Sequence, residues 1–168
     1  TMQKGPEYFV EAAARVLAGT DGVRVVMAGS GDMMNKMIDL VAQRGIADKF
    51  HFPGFMRGRQ VQEILADSDV YIMPSVSEPF GISPLEAMQV GCPSIISHQS
   101  GCAEILSHVI KTDYWDIDAM ADAIYAIVKY PAMYKSLREL GRDEVNNIKW
   151  YDVGLKVRRI YDMVINGY

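Results

Sequence analysis

Residues 70–97 read VYIMPSVSEPFGISPLEAMQVGCPSIIS, and the assignment of the fold starts from this segment. It begins with the run Val70–Met73 and ends with the run Ser94–Ser97, and neither run alternates strictly between apolar and polar residues. Such runs are typical of strands that helices cover on both faces. Pro84–Val90, between them, is predicted to form a helix. Strand, turn, helix and strand in this order indicate an α/β domain with a parallel sheet.

The same alternation of strands and helices extends through most of the chain. Further strands are predicted at Val23–Ala28, Phe50–Pro53 and Val109–Lys111. Further helices are predicted over residues 32–44, around 61–65, and over 118–130, 132–147 and 152–165. In an open parallel sheet the ligand lies beyond the carboxyl ends of the strands. The loops that begin there are the place to look for a site, and they start at Gly29, Gly54, Pro74 and Ser97.

The composition is that of an ordinary globular domain and argues against several classes of function. The 168 residues suit a single domain, and 17 basic against 21 acidic residues give a net charge of −4. That charge argues against nucleic-acid binding, which needs a positive surface. No apolar run approaches the roughly 20 residues of a membrane span, and the first residues lack the apolar core of a signal peptide. Cys92 and Cys102 lack C-x-x-C spacing, so we predict neither disulfides nor zinc, and a reducing, cytoplasmic setting.

The loop before the predicted helix at Pro84 has the features of an anion site. Ser83, Pro84 and Glu86 match the N-cap, N1 and N3 positions of a capping box, so the helix is predicted to begin here. The backbone N–H groups of Ser83, Leu85 and Glu86 would then face outward, and such a helix end attracts phosphate. Gly81 would allow the backbone to approach the ligand closely.

Two carboxylates, Glu78 and Glu86, flank this loop and would repel a bare phosphate. Ionised carboxylates only accept hydrogen bonds, so they suit a ligand that offers hydroxyl groups. A ligand that carries both a phosphate and sugar hydroxyls would account for the whole loop. Plainer interpretations stay open: Glu86 completes the capping box alone, Glu78 is a solvated loop residue, and Gly81 serves a simple turn.

The order of motifs in this region resembles a known family. Glu78-Pro79-Phe80-Gly81, Glu86-Ala87-Met88 and Gly91-Cys92-Pro93 resemble the E-x7-E signature of the retaining group 1 glycosyltransferases of GT-B fold, which include glycogen synthases and sucrose synthases. Other segments resemble further motifs of that family in the same order: Gln3–Gly5, Met27–Asp32, Phe52–Phe55, Asp69–Ser75, Ser100–Glu104 and Trp150. Ser100 stands where that family has a glycine.

The resemblance implies a Rossmann-like, donor-binding domain over residues 1–168, which is the C-terminal half of a GT-B enzyme. It implies that Lys4 neutralises the diphosphate and that Glu78 contacts the transferred sugar, as the two catalytic residues. The residues implied to bind the nucleotide sugar are Gly29, Gly31, Phe55, Phe80, Gly81, Ile82, Ser83 and Glu86. Among these, Glu86 would bind the ribose, the segment around Phe55 would lie near the base, and the glycine loop would approach the diphosphate.

The implied reaction is the transfer of a hexosyl group, with retained configuration, from a UDP-, ADP- or GDP-sugar to an unknown acceptor. The resemblance implies no cofactor and no catalytic metal. Because the acceptor domain of such enzymes precedes this domain, the chain alone is expected to be inactive. The alternatives are a non-catalytic nucleotide- or sugar-binding module of the same fold, and another GT-B enzyme such as a nucleotide-sugar epimerase.

Two features of the chain depart from the family pattern. The first strand of the family domain, and an arginine near its end, would lie before Thr1. The sheet is therefore expected either to close up around Val23–Ala28 and Val70–Met73 or to pair with another chain. The last helix is predicted to begin at an Asp152 N-cap. Its apolar residues are expected to pack in the core or, alternatively, to leave an exposed patch for self-association; they are Leu155, Val157, Ile160, Tyr161 and Val164.

Overall fold

A computed structural model of the chain describes residues 1–167 and shows an α/β fold of helices and parallel strands. The helices are α1 (Pro6–Gly19), α2 (Met34–Gln43), α3 (Arg59–Ala66), α4 (Ser83–Gln89), α5 (Ile117–Lys129), α6 (Pro131–Asn147) and α7 (Trp150–Asn166). The strands are β1 (Val25–Ala28), β2 (Phe50–Gly54), β3 (Tyr71–Met73), β4 (Ser94–Ser97) and β5 (Ile110–Thr112). The predicted fold class is confirmed, and β4 has its predicted bounds; most other elements differ by one or two residues.

Helix α1 is an element that the sequence analysis did not predict. Pro6 occupies the first turn, where its missing N–H is not needed. Gly5 precedes it in a left-handed conformation (φ 64°), and a Cβ at Gly5 would lie 2.0 Å from the carbonyl oxygen of Pro74. Only glycine therefore lets the start of α1 lie this close to the end of β3. The buried face of α1, which includes Val10 and Val16, holds the helix on the domain.

The strands form two separate parallel sheets, one of β1 and β2 and one in the order β3-β4-β5. The expectation that the sheet closes up around β1 and β3 is wrong, because within residues 1–167 these strands do not pair. A slot of about 720 Å³ separates them, and residues 25–28 and 70–75 line it. Each sheet therefore keeps an edge whose backbone groups lack a neighbouring strand.

Residues 2–4 lie beside the carboxyl end of β3. The N–H of Val76, beyond β3, donates to the carbonyl of Gln3 at 2.9 Å. Lys4 is therefore held next to the loop that follows β3.

The core lies between the sheets and the helices that cover them. Helices α1 and α5 pack together against β4, with Val16, Ile95 and Ile124 among the buried side chains. A second cluster joins β3, β4 and α4 through Met73, Ile96 and Met88. Five of the eleven methionines are buried in the core: Met33, Met37, Met73, Met88 and Met120.

Glu144, near the end of α6, ties this helix to the loop before β5. Its carboxylate accepts hydrogen bonds from the N–H groups of Ser107 (2.8 Å) and His108 (2.9 Å) and lies 3.1 Å from the His108 ring. Burial acts to raise the pKa of Glu144, but these hydrogen bonds outweigh it and hold the pKa below its ordinary value.

Helix α7 does not pack in the core, so the expectation that its apolar residues are buried is wrong. No residue of α7 up to Asn166 is buried, and Ile160 and Val164 are 54% and 75% exposed. The predicted N-cap is also wrong, because the helix begins at Trp150 and Asp152 lies inside its first turn. No helix within residues 1–167 is long and apolar enough to span a membrane.

Candidate functional site

A pocket of about 540 Å³ opens beyond the carboxyl end of β3. Its lining consists of Lys4, Glu78, Pro79, Phe80, Gly81, Ile82, Ser83 and Glu86. All of these except Pro79 are among the site residues that the sequence analysis named. The roles that the resemblance implies for them stay predictions, but the structure brings them to one place.

The loop that carries Glu78 is fixed by hydrogen bonds to the loop after β4. The N–H of Glu78 donates to the carbonyl of Gln99 (3.2 Å), and its own carbonyl accepts from the N–H of Gly101 (2.9 Å). The carbonyl of Phe80 accepts from the N–H of Cys102 (2.7 Å). Glu78 also forms an isolated parallel bridge with Ser100. The pocket loop therefore continues the sheet beyond β3 and β4, with its backbone in a defined position.

Ser100 points away from the pocket. Its residue is 2% exposed, and its hydroxyl lies 2.9 Å from that of Ser97, which donates to the carbonyl of Ser75 at 2.6 Å. The serine that replaces the family's glycine is thus part of the buried support of the loop.

Lys4 and Glu78 form an ion pair across the pocket. Lys4 reaches it because Gly5 brings the start of α1 against the end of β3. The Lys4 side chain is 59% exposed and that of Glu78 is 13% exposed. The cation is therefore close to the solvent and free to turn toward a ligand, whereas the carboxylate is largely enclosed.

Gly81 allows the pocket floor to take its shape. It has a left-handed φ of 94°, and a Cβ there would lie 2.8 Å from the terminal methyl of Met73. Within residues 1–167, the N–H groups of Phe80, Gly81 and Ile82 have no hydrogen-bond acceptor. Consecutive free amides of this kind form a concave site for an anion.

The predicted capping box does not form. Helix α4 begins at Ser83 after Ile82, and no side chain caps it. The hydroxyl of Ser83 instead accepts a hydrogen bond from the hydroxyl of Tyr71 at 2.8 Å. The N–H of Glu86 is also not free, because it donates to the carbonyl of Ile82 at 3.1 Å. Within residues 1–167 the N–H groups of Ser83 and Leu85 have no acceptor, so they remain available for a ligand together with those of the loop.

Glu86 lies in the first turn of α4 with its residue exposed and its side chain on the pocket. Among the residues that the structure describes, it takes part in no ion pair or side-chain hydrogen bond. Its hydrogen-bond acceptors are thus available for hydroxyl groups of a ligand.

Gly29, Gly31 and Phe55 lie outside this pocket, at the carboxyl ends of β1 and β2. The N–H of Gly29 donates to the carbonyl of Gly54 at 2.8 Å. Phe55 is 62% exposed, and the guanidinium of Arg57 lies 4.9 Å from the centre of its ring. These residues belong to the other sheet, on the far side of the slot.

Aspartates that would suit a divalent cation do not gather at the pocket. The sequence contains two Asp-x-Asp segments, at residues 67–69 and 116–118. The first precedes β3, at the opposite end of that strand from the pocket. In the second, Asp116 accepts a hydrogen bond from the N–H of Ala119 and caps α5. In the described part of the chain no three His, Cys, Asp or Glu side chains form a cluster suited to a metal.

Comparison with known proteins gives one consistent family. The model of the family described as glycosyl transferases group 1 matches residues 1–144. An uncharacterized glycosyltransferase of Methanocaldococcus jannaschii is 42% identical over 97 residues, which are 58% of this chain and 25% of that protein. The chain thus spans about a quarter of this relative's length.

Two solved structures have the same fold. The C-terminal domain of LpcC, a group 1 glycosyl transferase from Francisella tularensis, has a TM-score of 0.79 at 21% identity, over 87% of this chain and 80% of that one. Anabaena HepE in complex with UDP-glucose has a TM-score of 0.83 at 16% identity, over 96% of this chain and 46% of that one. At these identities the likeness establishes the architecture, and the chemistry has to be argued from the pocket.

Proposed function

Because the chain belongs to the group 1 glycosyl transferase family, we propose that it is the donor-binding, C-terminal domain of a retaining glycosyltransferase. One observation carries the proposal: a single pocket joins a lysine, three free amides and two carboxylates. Positive and negative groups side by side suit a ligand that is itself part anion and part polyol. A nucleoside-diphosphate sugar has this character.

In the proposed complex the diphosphate lies between Lys4 and the amides of Phe80, Gly81 and Ile82. Lys4 leaves Glu78 and turns to the phosphates, and the amides donate to their oxygens. Glu78, released from Lys4, accepts hydrogen bonds from the sugar to be transferred. Glu86 accepts hydrogen bonds from the ribose. Each charged group of the pocket then faces a ligand group of complementary character.

The proposed reaction requires stabilisation of the nucleoside diphosphate as it leaves. Negative charge builds up on that group when the bond to the sugar breaks. A lysine and preorganised amides aimed at this charge lower the barrier by electrostatic stabilisation. The proposal includes no metal ion, because Lys4 and the amides supply the charge compensation. The acceptor is assigned to an N-terminal domain of the longer protein, and the setting to the cytoplasm.

Calorimetric titration of the chain with UDP, ADP, GDP and UDP-glucose tests the proposal. We expect one nucleoside diphosphate to bind, and we expect Glu86→Gln to weaken that binding. Lys129→Met serves as the control, because Lys129 lies in the last turn of α5, outside the pocket lining. If the folded chain binds none of these compounds, the proposed function is wrong.

We also propose that the apolar face of α7 covers a partner surface. Val153, Val157, Ile160 and Val164 recur at helical spacing and share this face. All four are exposed, and contiguous exposed apolar surface marks interaction sites. The proposed partner is a second copy of the chain.

A further inference from the structure

Tyr71 lies beneath the pocket and is outside its lining, yet it is bonded to a pocket residue. It is the first residue of β3, and Ser83, twelve residues later, is the first residue of α4. The Tyr71 hydroxyl donates to the Ser83 hydroxyl at 2.8 Å, and the Ser83 hydroxyl lies 3.9 Å from the sulfur of Met73. This chain of contacts joins the strand to the point where the pocket loop becomes a helix.

Met73 also supports the floor of the pocket, at Gly81. A Cβ at Gly81 would lie 2.8 Å from the methyl of Met73 and 3.3 Å from the sulfur of Cys102. The side chain of Met73 thus lies directly under Gly81, while Tyr71 and Met73 both hold Ser83. The loop that carries the free amides is supported from below at Gly81 and at Ser83.

The hydrogen bond from Tyr71 decides what the Ser83 hydroxyl does. The sequence pattern predicts that this hydroxyl caps α4, and in the structure it does not. Tyr71 occupies an acceptor position of the Ser83 oxygen, and the remaining hydroxyl hydrogen faces the weakly accepting sulfur of Met73. Without the Tyr71 hydroxyl, Ser83 would be free to rotate toward the backbone N–H groups of the helix start.

We propose that Tyr71 is a positioning residue of the pocket: its hydroxyl holds Ser83 so that the amides of Phe80–Ile82 keep the arrangement that receives the diphosphate. The inference rests on the proposed function, since it takes the pocket as a site for a nucleoside diphosphate. Tyr71 itself touches no ligand. Within residues 1–167 its hydroxyl forms one hydrogen bond, which Tyr71→Phe removes while it keeps the ring.

The hydroxyl of Tyr71 can donate this hydrogen bond throughout the physiological pH range. Burial raises the pKa of Tyr71 to about 12, against the opposing effect of the hydrogen bond to Ser83. The nearby Cys102, Glu86 and Glu78 contribute to this rise in the pKa. The hydroxyl therefore stays protonated at physiological pH and stays a donor.

Calorimetry on Tyr71→Phe tests the inference with a ligand. We expect affinity for the nucleoside diphosphate that the native chain binds, among UDP, ADP and GDP, to fall about fivefold. Affinity for the matching nucleoside, which has no phosphate, should not change. Ser83→Ala should lower diphosphate affinity by the same factor. The double variant, Tyr71→Phe with Ser83→Ala, should lower it no further, because each substitution removes the same hydrogen bond. Ser83→Thr, which keeps a hydroxyl, should restore most of it.

Tyr134→Phe is the matched control. Tyr134 lies on α6, and its hydroxyl accepts a hydrogen bond from Arg138 at 3.1 Å, outside the pocket lining. It should leave diphosphate affinity unchanged. Equal affinities of Tyr71→Phe and the native chain overturn the inference. An equal loss for nucleoside and diphosphate also overturns it, because that result indicates general loosening of the fold.

Hydrogen exchange in the ligand-free chain separates this inference from the proposed function. We expect the amides of Glu86 and Cys102, which donate to the loop carbonyls of Ile82 and Phe80, to exchange about fivefold faster in Tyr71→Phe and at the native rate in Tyr134→Phe. If the native chain binds no nucleotide but Tyr71→Phe speeds this exchange, the proposed function fails and the positioning of the loop by Tyr71 stands. Unchanged exchange at these amides overturns the inference whatever the ligand.

Discussion

The ammonium group of Lys4 forms an ion pair with the carboxylate of Glu78, although 74 residues separate them in the chain. In the ligand-free protein the pocket therefore holds its cation and an anion against each other. A phosphate has to compete with Glu78 for Lys4, and a sugar hydroxyl has to compete with Lys4 for Glu78. A ligand that carries both groups gives Lys4 and Glu78 each a new partner when their ion pair breaks. A phosphate alone leaves Glu78 without a partner, and a sugar alone leaves Lys4 without one.

Lys4→Met should lower affinity for a nucleoside diphosphate at least about tenfold, because a unit charge near a phosphate contributes several kcal/mol even when partly screened. The free energy of unfolding should fall by about 1 kcal/mol, because Lys4 is exposed but its loss leaves the largely enclosed Glu78 carboxylate without a partner. Calorimetry and urea unfolding measure the two effects. Lys36→Met is the control, because Lys36 forms an exposed ion pair with Glu7 outside the pocket. Equal losses of affinity in both variants would contradict the assignment.

Glu78→Gln should tighten the binding of a free nucleoside diphosphate by about two- to fivefold, because Lys4 no longer has to leave a charged partner. The same variant should lose the preference for UDP-glucose over UDP, if UDP is the nucleotide bound. Glu86→Gln is the matched comparison, because it leaves the Lys4–Glu78 pair intact. It should weaken the binding of both ligands, since it alters the proposed acceptor for the ribose hydroxyls. Weaker UDP binding by Glu78→Gln would show that the ion pair does not compete with the ligand.

Gly81→Ala should destabilise the fold by about 1–2 kcal/mol or more, because alanine at a left-handed φ is strained and its Cβ would press against Met73. Nucleotide binding should fall with it, since the loop has to move. Gly19→Ala makes the same substitution at the end of α1, where nothing lies within 4 Å of the added Cβ. It should be neutral or stabilising by roughly 0.5–1 kcal/mol. Urea unfolding compares the two, and equal stabilities would contradict the described loop geometry.

Glu144→Gln should destabilise the protein at pH 7 and matter progressively less as the pH falls. The folded-state pKa of Glu144 lies below its usual value of 4.5, so its stabilisation is complete above that value. This stabilisation is lost as the pH falls through the lowered folded-state pKa. We expect a cost of about 1–2 kcal/mol at pH 7 by urea unfolding. Glu139→Gln, at an exposed position on α6, should cost little at any pH. A pH-independent loss in Glu144→Gln would refute the linkage.

Combined Val157→Lys and Ile160→Lys substitutions should make the chain monomeric without lowering its stability, because α7 contributes no buried residue to the core. Sedimentation velocity over a range of concentrations measures the association. The control is Asp152→Lys with Asp162→Lys, which adds the same lysines on the opposite face of α7. A native chain that sediments as a monomer at every concentration would exclude self-association through this face.

The sequence was most informative where local pattern decides structure. The α/β class, β4 and the position of the pocket loop follow from short apolar runs separated by glycine, proline and serine. Helix α1 carries comparable signals, with Pro6 at its start and Val10, Ala13 and Val16 at helical spacing. The sequence thus contains the signal for α1, although no element before Val23 was predicted.

The capping box failed for a different reason. Ser83, Pro84 and Glu86 carry the correct local signal, but the hydroxyl of Ser83 accepts a hydrogen bond from Tyr71, which holds it away from the N–H groups of the helix start. A competitor twelve residues away along the chain leaves no trace in a local motif. The separation of the two sheets and the exposure of the apolar face of α7 are likewise not encoded in a local motif. Each depends on how segments far apart in the chain pack together.

By itself the sequence determined the class of fold, the family and the loops where a site would form, because periodicity and motif spacing are local properties of the chain. The tertiary structure decided which groups meet in the pocket. Lys4 reaches Glu78 only because α1 starts against the end of β3, where Gly5 admits the carbonyl of Pro74. Gly29, Gly31 and Phe55, which the same motif pattern grouped with them, follow β1 and β2 and lie outside this pocket, because those strands form a separate sheet. Such contacts depend on the packing of distant segments, and no local pattern contains them.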